Sequence, residues 1–245
     1  MQKTANIQIY IQQNADLLKA IFDNQMQMYA TVHAGLLKIA KKRWNDIKHM
    51  FSDFGLKDFI IYGDIASYVY NPKTEVSIGI VVSSPEQVVP YLPQINFAFI
   101  NHELPYKFIQ RPIHCHILNE IPKNEPSYSL QSEKWINLPQ KREYPFTMPE
   151  FYRSFEKYMD GLSDFIESLP KHKNKILTPE GVEALEDYLN RAKEKALTEK
   201  TNSVGGEYSK EYLLWRTFSD IGELDIMQKY AIDSYNYNIN ELNQC

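Results

Sequence analysis

The sequence has little cysteine, little glycine and no long apolar run. Only two cysteines occur, Cys115 and Cys245, which excludes a disulfide-rich scaffold and suits a reducing compartment. No apolar run approaches the roughly 20 residues that are needed to cross a bilayer. The first residues also lack the apolar stretch of a secretory signal. We therefore expect a soluble protein that is cytoplasmic at synthesis and has no membrane partner.

An excess of positive charge is also missing. The formal net charge is -4 and the sequence pI is near 5.9, so the chain as a whole has no signature of nucleic-acid binding. Two short basic clusters are the exceptions: Lys41, Lys42 and Arg43, and then Lys171, Lys173 and Lys175 around His172. Short clusters of this kind are usually solvated surface, but they keep open the alternative of a nucleic-acid-binding accessory protein.

Several catalytic motifs are absent as well. The sequence has no glycine-rich phosphate loop, no Gly-x-Ser-x-Gly, no His-Glu-x-x-His and no Cys-x-x-Cys, and the pair Gly205-Gly206 is typical of a turn. Tyrosine, by contrast, is abundant, with 17 residues against 9 glycines. Its large ring and polar tip suit protein interfaces, although a biased base composition in the encoding genome explains the same count.

Apolar periodicity predicts the elements of the first half. Residues 1–11 alternate weakly, as a short strand or an extended arm does, and helical spacing from Asp16 onward predicts one long helix or two that end near Gly55. Two helical turns are expected at 64–70 and a proline-initiated helix at 85–92. Short apolar runs predict strands at 58–62, 75–82, 97–100, 106–110 and 113–118.

The second half changes character. Five prolines between residues 121 and 149 predict an irregular connector. Helical spacing then predicts helices at 149–169, at 178–199 with Thr178 as its N-cap, and at 208–236.

One stretch of the first half resembles a known family. A buried strand ends at Gly63-Asp64, a short helix is expected next, and a second buried strand, Glu75-Val-Ser77-Ile-Gly79, follows. This arrangement, over roughly residues 26–120, resembles the nucleotidyltransferase superfamily. The resemblance implies an α+β fold with a nucleotidyltransferase-like mixed sheet flanked by helices, followed by a helical C-terminal region. It divides the chain into an N-terminal helical segment (1–55), the αβ core (56–121), the connector (122–148) and the helical region (149–245).

The carboxylates of that family are missing. In it, the second strand carries Asp-x-Asp or Asp-x-Glu and a later strand supplies a third acid, because two Mg²⁺ ions must bridge the triphosphate and the attacking hydroxyl. Here Ser77 and Gly79 align with the acidic pair, and the strand that contains His114 and His116 lies where the third acid is expected. The resemblance therefore implies a vestigial nucleotide site at Gly63, Asp64, Ser77 and Gly79.

Two further interpretations of these residues stay open. In one interpretation, Asp64 and Glu75 are the acids of an atypical site for Mg²⁺ and a nucleoside triphosphate. In the other, Asp64 caps the short helix and Glu75 is a solvated residue at the end of a strand. His114 and His116 share one strand face and are Zn²⁺ ligands, or else they cover the sheet and form local hydrogen bonds.

The sequence thus favours a catalytically inactive nucleotidyltransferase-like protein that needs no cofactor and acts through protein partners or self-assembly. A connector, ring or tail component of a tailed-phage virion is one setting that the composition permits. The first alternative is an active Mg²⁺-dependent nucleotidyltransferase that uses Asp64 and Glu75, and the second is the nucleic-acid-binding accessory protein.

Overall fold

A computed structural model describes residues 7, 10, 11, 13–51, 53–84, 86–96, 109, 111–141, 143–202 and 208–242. The strand predicted at 97–100 and the Gly205-Gly206 turn lie outside these ranges, as does the strand predicted at 106–110 except for Ile109. Of the extended arm predicted at 1–11, the described residues Ile7, Tyr10 and Ile11 are helical.

The chain forms two compact units. One is Gln12–Lys141, and the other combines Met1–Ile11 with Arg142–Cys245. The first contains the sheet and the second consists of helices, so the described chain has the α+β fold that the sequence predicted: a mixed sheet with helices, followed by a helical C-terminal region. Within the described residues, no helix is both long and apolar enough to span a bilayer.

The sheet unit is built on five strands, β1 (Gly55–Tyr62), β2 (Val76–Ser83), β3 (Ile113–Leu118), β4 (Ser127–Ser129) and β5 (Lys134–Asn137). Their order in the sheet is β3-β2-β1-β4-β5, with β2 and β3 parallel and the other neighbours antiparallel. One face packs against helix α1 (Ala30–Ile47) through alternate apolar side chains of the strands, such as Phe59, Ile78 and Cys115. The predictions of β1, β2 and β3 are confirmed. They could be made because short apolar runs are typical of buried strands.

The long helix predicted from Asp16 is wrong over residues 16–29. Polar side chains here bind the backbone in a non-helical path: the Asp23 carboxylate accepts hydrogen bonds from the backbone N–H groups of Gln25 and Gln27, both at 2.8 Å. Met26 has a positive φ of 62°. Helix α1 therefore begins only at Ala30.

Two other expectations in this unit are corrected. The helix predicted at 64–70 is a single 3₁₀ turn, Gly63–Ala66, because the buried Ser67 hydroxyl bonds locally to the Asp64 carbonyl and the Val69 N–H. The connector predicted at 122–148 contains β4 and β5, which extend the sheet beyond β1. At 85–92 the described residues form a 3₁₀ helix, Glu86–Tyr91, which leads into the short helix Leu92–Ile95.

In the described part of the second unit the long helices are α2 (Met148–Ser168), α3 (Pro179–Asn202), α4 (Lys210–Asp220) and α5 (Glu223–Leu242). Helix α2 begins with a capping box between Thr147 and Glu150, and the Thr178 hydroxyl accepts from the Gly181 N–H at the start of α3. The single helix predicted at 208–236 is two helices, because Gly222, with φ at 85°, turns the chain between α4 and α5.

Candidate functional site

Among the residues singled out by the sequence, Ser77, Gly79, His114 and His116 lie on the sheet face opposite to the apolar core. Strand pairing places Ser77 beside His114 and Gly79 beside His116, while Ile60 of β1 flanks Gly79 on the other side. Strands β2, β3 and β4 begin at the same end of the sheet at which β1 ends. The residues at 62–64, 75–77 and 125–127 therefore meet at this end.

Gly79 has no free space around it. A Cβ atom at this position would lie 2.6 Å from Leu118 Cδ1 and 2.8 Å from Ile60 Cγ1, both closer than real Cβ contacts. Ile60 is fully buried, so it cannot move aside without repacking the sheet. The position that aligns with one acid of the family motif is thus filled by neighbouring apolar side chains.

The backbone conformation at Gly63 favours glycine, and an acidic side chain lies close to this residue. Its φ of 76° favours glycine, and its N–H donates to the Pro126 carbonyl at 3.1 Å. A Cβ at Gly63 would lie 3.2 Å from the carboxylate Oε2 of Glu125. Sequence analysis missed Glu125, because it lies in a segment that was predicted to be an irregular connector and no motif marks it.

Asp64 and Glu75 are placed differently. Asp64 lies in the first turn of the 3₁₀ segment and is half-buried. Glu75 is exposed before β2, and its Oε2 lies 3.5 Å from His114 Nε2, a long contact for a hydrogen bond. Among the residues that the structure describes, no group of three or more His, Cys, Asp or Glu side chains is placed to hold a metal ion.

His116 is kept neutral by its surroundings. Burial lowers its pKa below the ordinary value of 6.5, and the nearby His114 lowers it further. The Tyr62 ring meets the His116 ring edge-on, with 6.4 Å between centroids. Near pH 7 His116 is thus an uncharged imidazole beside an aromatic ring, and it cannot replace the negative charge of a carboxylate.

The first basic cluster does not form one patch. Lys41 and Lys42 are exposed and line an open groove along α1 together with Lys38. Arg43 is half-buried, and its charge partly offsets the burial that raises the pKa of the Cys115 thiol to about 12. Arg43 does not line the groove that Lys41 and Lys42 share.

Residues of the second basic cluster, around His172, make contacts within the helical unit. The Lys171 ammonium donates to the Glu167 carbonyl at the end of α2, at 3.1 Å. His172 Nε2 lies 2.7 Å from Asn238 Oδ1 of α5. Two of the residues that suggested a nucleic-acid contact thus have local structural contacts.

Comparisons with known proteins add little to this geometry. No protein-family model and no curated protein matches the chain. Among solved structures, the chain is similar to one described as "Structure of STING-associated CdnE c-di-GMP synthase from Capnocytophaga granulosa", with a TM-score of 0.24 and 9% identity over 86% of this chain and 84% of that one. At that TM-score the likeness assigns neither a fold nor an activity.

Proposed function

We propose that this protein is a nucleotidyltransferase-like module that does not transfer nucleotides and acts through protein contacts. The observation that carries the proposal is the closed space at Gly79, where Leu118 and Ile60 occupy the room that an acidic side chain needs. The other two positions hold Ser77 and histidine, which offer Mg²⁺ no negative charge. The residues present do not fit a two-metal site.

Incubation with Mg²⁺ and each labelled nucleoside triphosphate tests the first half of the proposal. We expect no labelled product, and no effect of Asp64→Ala, Glu75→Ala or Glu125→Ala on that result. A product that forms with the parent chain and disappears in those variants contradicts the proposal.

That outcome would support a second candidate function, an atypical Mg²⁺-dependent nucleotidyltransferase. The Glu125 carboxylate beside Gly63 favours this alternative, since it brings an additional acid to the end of β1, next to Asp64. A Ser77→Ala variant is the matched control, because it leaves every carboxylate in place.

An apolar stripe on α5 supports the interaction half of the proposal. Ile232, Tyr235 and Ile239 recur at helical spacing with exposed fractions of 58%, 58% and 38%. Exposed apolar side chains that share one helix face are typical of a surface that another helix or groove covers. A tailed-phage virion as the setting stays a prediction from composition.

Sedimentation of the full chain at several concentrations tests self-association. We expect association that the double variant Ile232→Ser and Ile239→Ser removes, because polar side chains abolish the burial of the stripe. The control is Ile226→Ser, which changes an equally exposed isoleucine of α5 outside the stripe. Association that persists in the double variant contradicts a role for the stripe.

A further inference from the structure

The helical unit contains a cavity that the proposed function does not use. It lies between α2, α3 and α4 and has a volume of about 530 Å³, which falls within the range of small-molecule sites. Its lining is mainly apolar and aromatic, with Tyr158, Tyr188, Leu214 and Trp215. The cavity exists because α3 presents alanines to it on successive turns, at 192 and 196, and their methyl groups leave the space open.

The aromatic lining is held in place by its own contacts. The Tyr188 ring stacks on Phe165, with centroids 4.4 Å apart, and the Tyr158 ring meets Phe218 edge-on at 5.6 Å. Trp215 is almost fully buried. The apolar walls are therefore preorganised for a flat ligand, which lowers the entropic cost of binding.

Positive charge lies on the α3 side of the cavity. Arg191 and Lys195 are four residues apart, so they lie on the same side of α3, and both are exposed. The backbone carbonyl of Asp187 accepts from Arg191 Nε at 3.2 Å, which orients the guanidinium. The single acid in the lining, Glu211, lies in the first turn of α4, where the amide end of that helix stabilises it. The balance of charge around the cavity therefore favours an anion.

The Tyr158 hydroxyl is a donor without an acceptor. Its oxygen is buried and has no hydrogen-bond partner among the described residues. Burial raises the pKa of Tyr158, and the neighbouring Tyr188 raises it further, so that the hydroxyl keeps its proton. A buried polar group of this kind destabilises the fold unless it is satisfied.

We propose that this cavity binds a small aromatic anion, whose ring packs among Tyr188, Ala192 and Trp215 and whose acidic group meets Arg191 and Lys195. The cavity is lined by α2, α3 and α4, so it shares no residue with the α5 stripe of the interaction role proposed above.

Fluorescence titration of the folded full-length chain with 8-anilinonaphthalene-1-sulfonate tests the site, and the neutral N-phenyl-1-naphthylamine serves as the matched probe without charge. We expect one saturable site for the sulfonate. Arg191→Gln with Lys195→Gln should weaken its binding roughly tenfold, as the loss of two partly exposed charge contacts implies, and leave the neutral probe unchanged. Ala192→Leu should weaken the binding of both probes, because the larger side chain occupies the space in which the ring packs between Tyr188 and Trp215, while Lys193→Gln is the control on the same helix.

Tyr158→Phe tests whether the buried hydroxyl affects only the stability of the free chain. We expect it to leave the binding of both probes unchanged and not to lower the melting temperature, because the hydroxyl oxygen is buried and has no hydrogen-bond partner among the described residues. Tyr230→Phe is the matched control: it removes the hydrogen bond from Tyr230 to the Lys175 carbonyl (2.6 Å), so it should lower stability and leave binding unchanged.

Three results would overturn the proposal. The first is the absence of saturable binding below about 1 mM, and the second is an affinity that Ala192→Leu leaves unchanged. The third is an equal loss of affinity for both probes in the double variant Arg191→Gln with Lys195→Gln. The last result would show an apolar cavity without preference for an anion.

Discussion

Replacing Gly79 with aspartate is expected to lower the free energy of unfolding by about 4 kcal/mol or more. The substitution places an acid at a position that the sequence resemblance aligns with the nucleotidyltransferase motif, but its Cβ would overlap Leu118 and Ile60, and its carboxylate would enter an apolar environment. Urea denaturation followed by circular dichroism measures the loss. Gly79→Ala, which adds the Cβ alone, should cost about 1–3 kcal/mol.

The matched control is Ser77→Asp, which introduces the same charge two residues earlier on the same strand face. Ser77 is half-buried beside His114, so an aspartate there keeps access to water and gains a basic neighbour. We expect a change of less than about 1 kcal/mol. If Gly79→Asp were as stable as Ser77→Asp, position 79 would be open, and the argument for a closed site would fail.

Trp135→Ala should lower the free energy of unfolding by about 3 kcal/mol. The indole of Trp135 stacks on Phe22 at 5.1 Å and meets Tyr128 edge-on at 5.2 Å. Its Nε1 donates to the Met26 carbonyl at 2.8 Å. This one side chain therefore joins β4 and β5 to the turn that replaces the predicted N-terminal helix, and its removal leaves a cavity among aromatic rings. Urea denaturation is again the measurement.

Two further variants separate the contributions of the Trp135 contacts to the free energy of unfolding. Trp135→Phe keeps an aromatic ring and loses the hydrogen bond, so we expect a cost of about 1 kcal/mol. Ile136→Ala changes the next residue of β5, whose side chain is 41% exposed, and should cost less than about 0.5 kcal/mol. A Trp135→Ala variant as stable as Ile136→Ala would show that β5 does not anchor the turn.

Local sequence patterns predicted those elements whose signals are themselves local. The apolar runs at 58–62 and 75–82 predicted β1 and β2, and the cap at Thr178 predicted the start of α3. The prediction over 16–29 was wrong, because the apolar spacing there is helical while polar side chains bind the backbone in turns. The prediction over 122–148 was wrong because β4 and β5 are short, and strands of three or four residues leave little periodicity to detect.

The candidate site was predicted in part. The sequence located Gly63, Ser77, Gly79 and His116, and strand pairing brings the last three onto neighbouring strands of one sheet. It did not locate Glu125, which no motif marks and which only the pairing of β4 with β1 brings to the end of the sheet.

The amino-acid sequence by itself determined which residue types stand at the positions that the resemblance aligns with nucleotidyltransferase acids, and serine, glycine and histidine carry no negative charge there. Only the tertiary structure decided that Leu118 and Ile60 close the space at Gly79, that Glu125 lies beside Gly63, and that Arg43 is half-buried and outside the groove of Lys41 and Lys42. The reason is physical: local periodicity sets which face a side chain takes, whereas the register between distant strands sets which side chains meet.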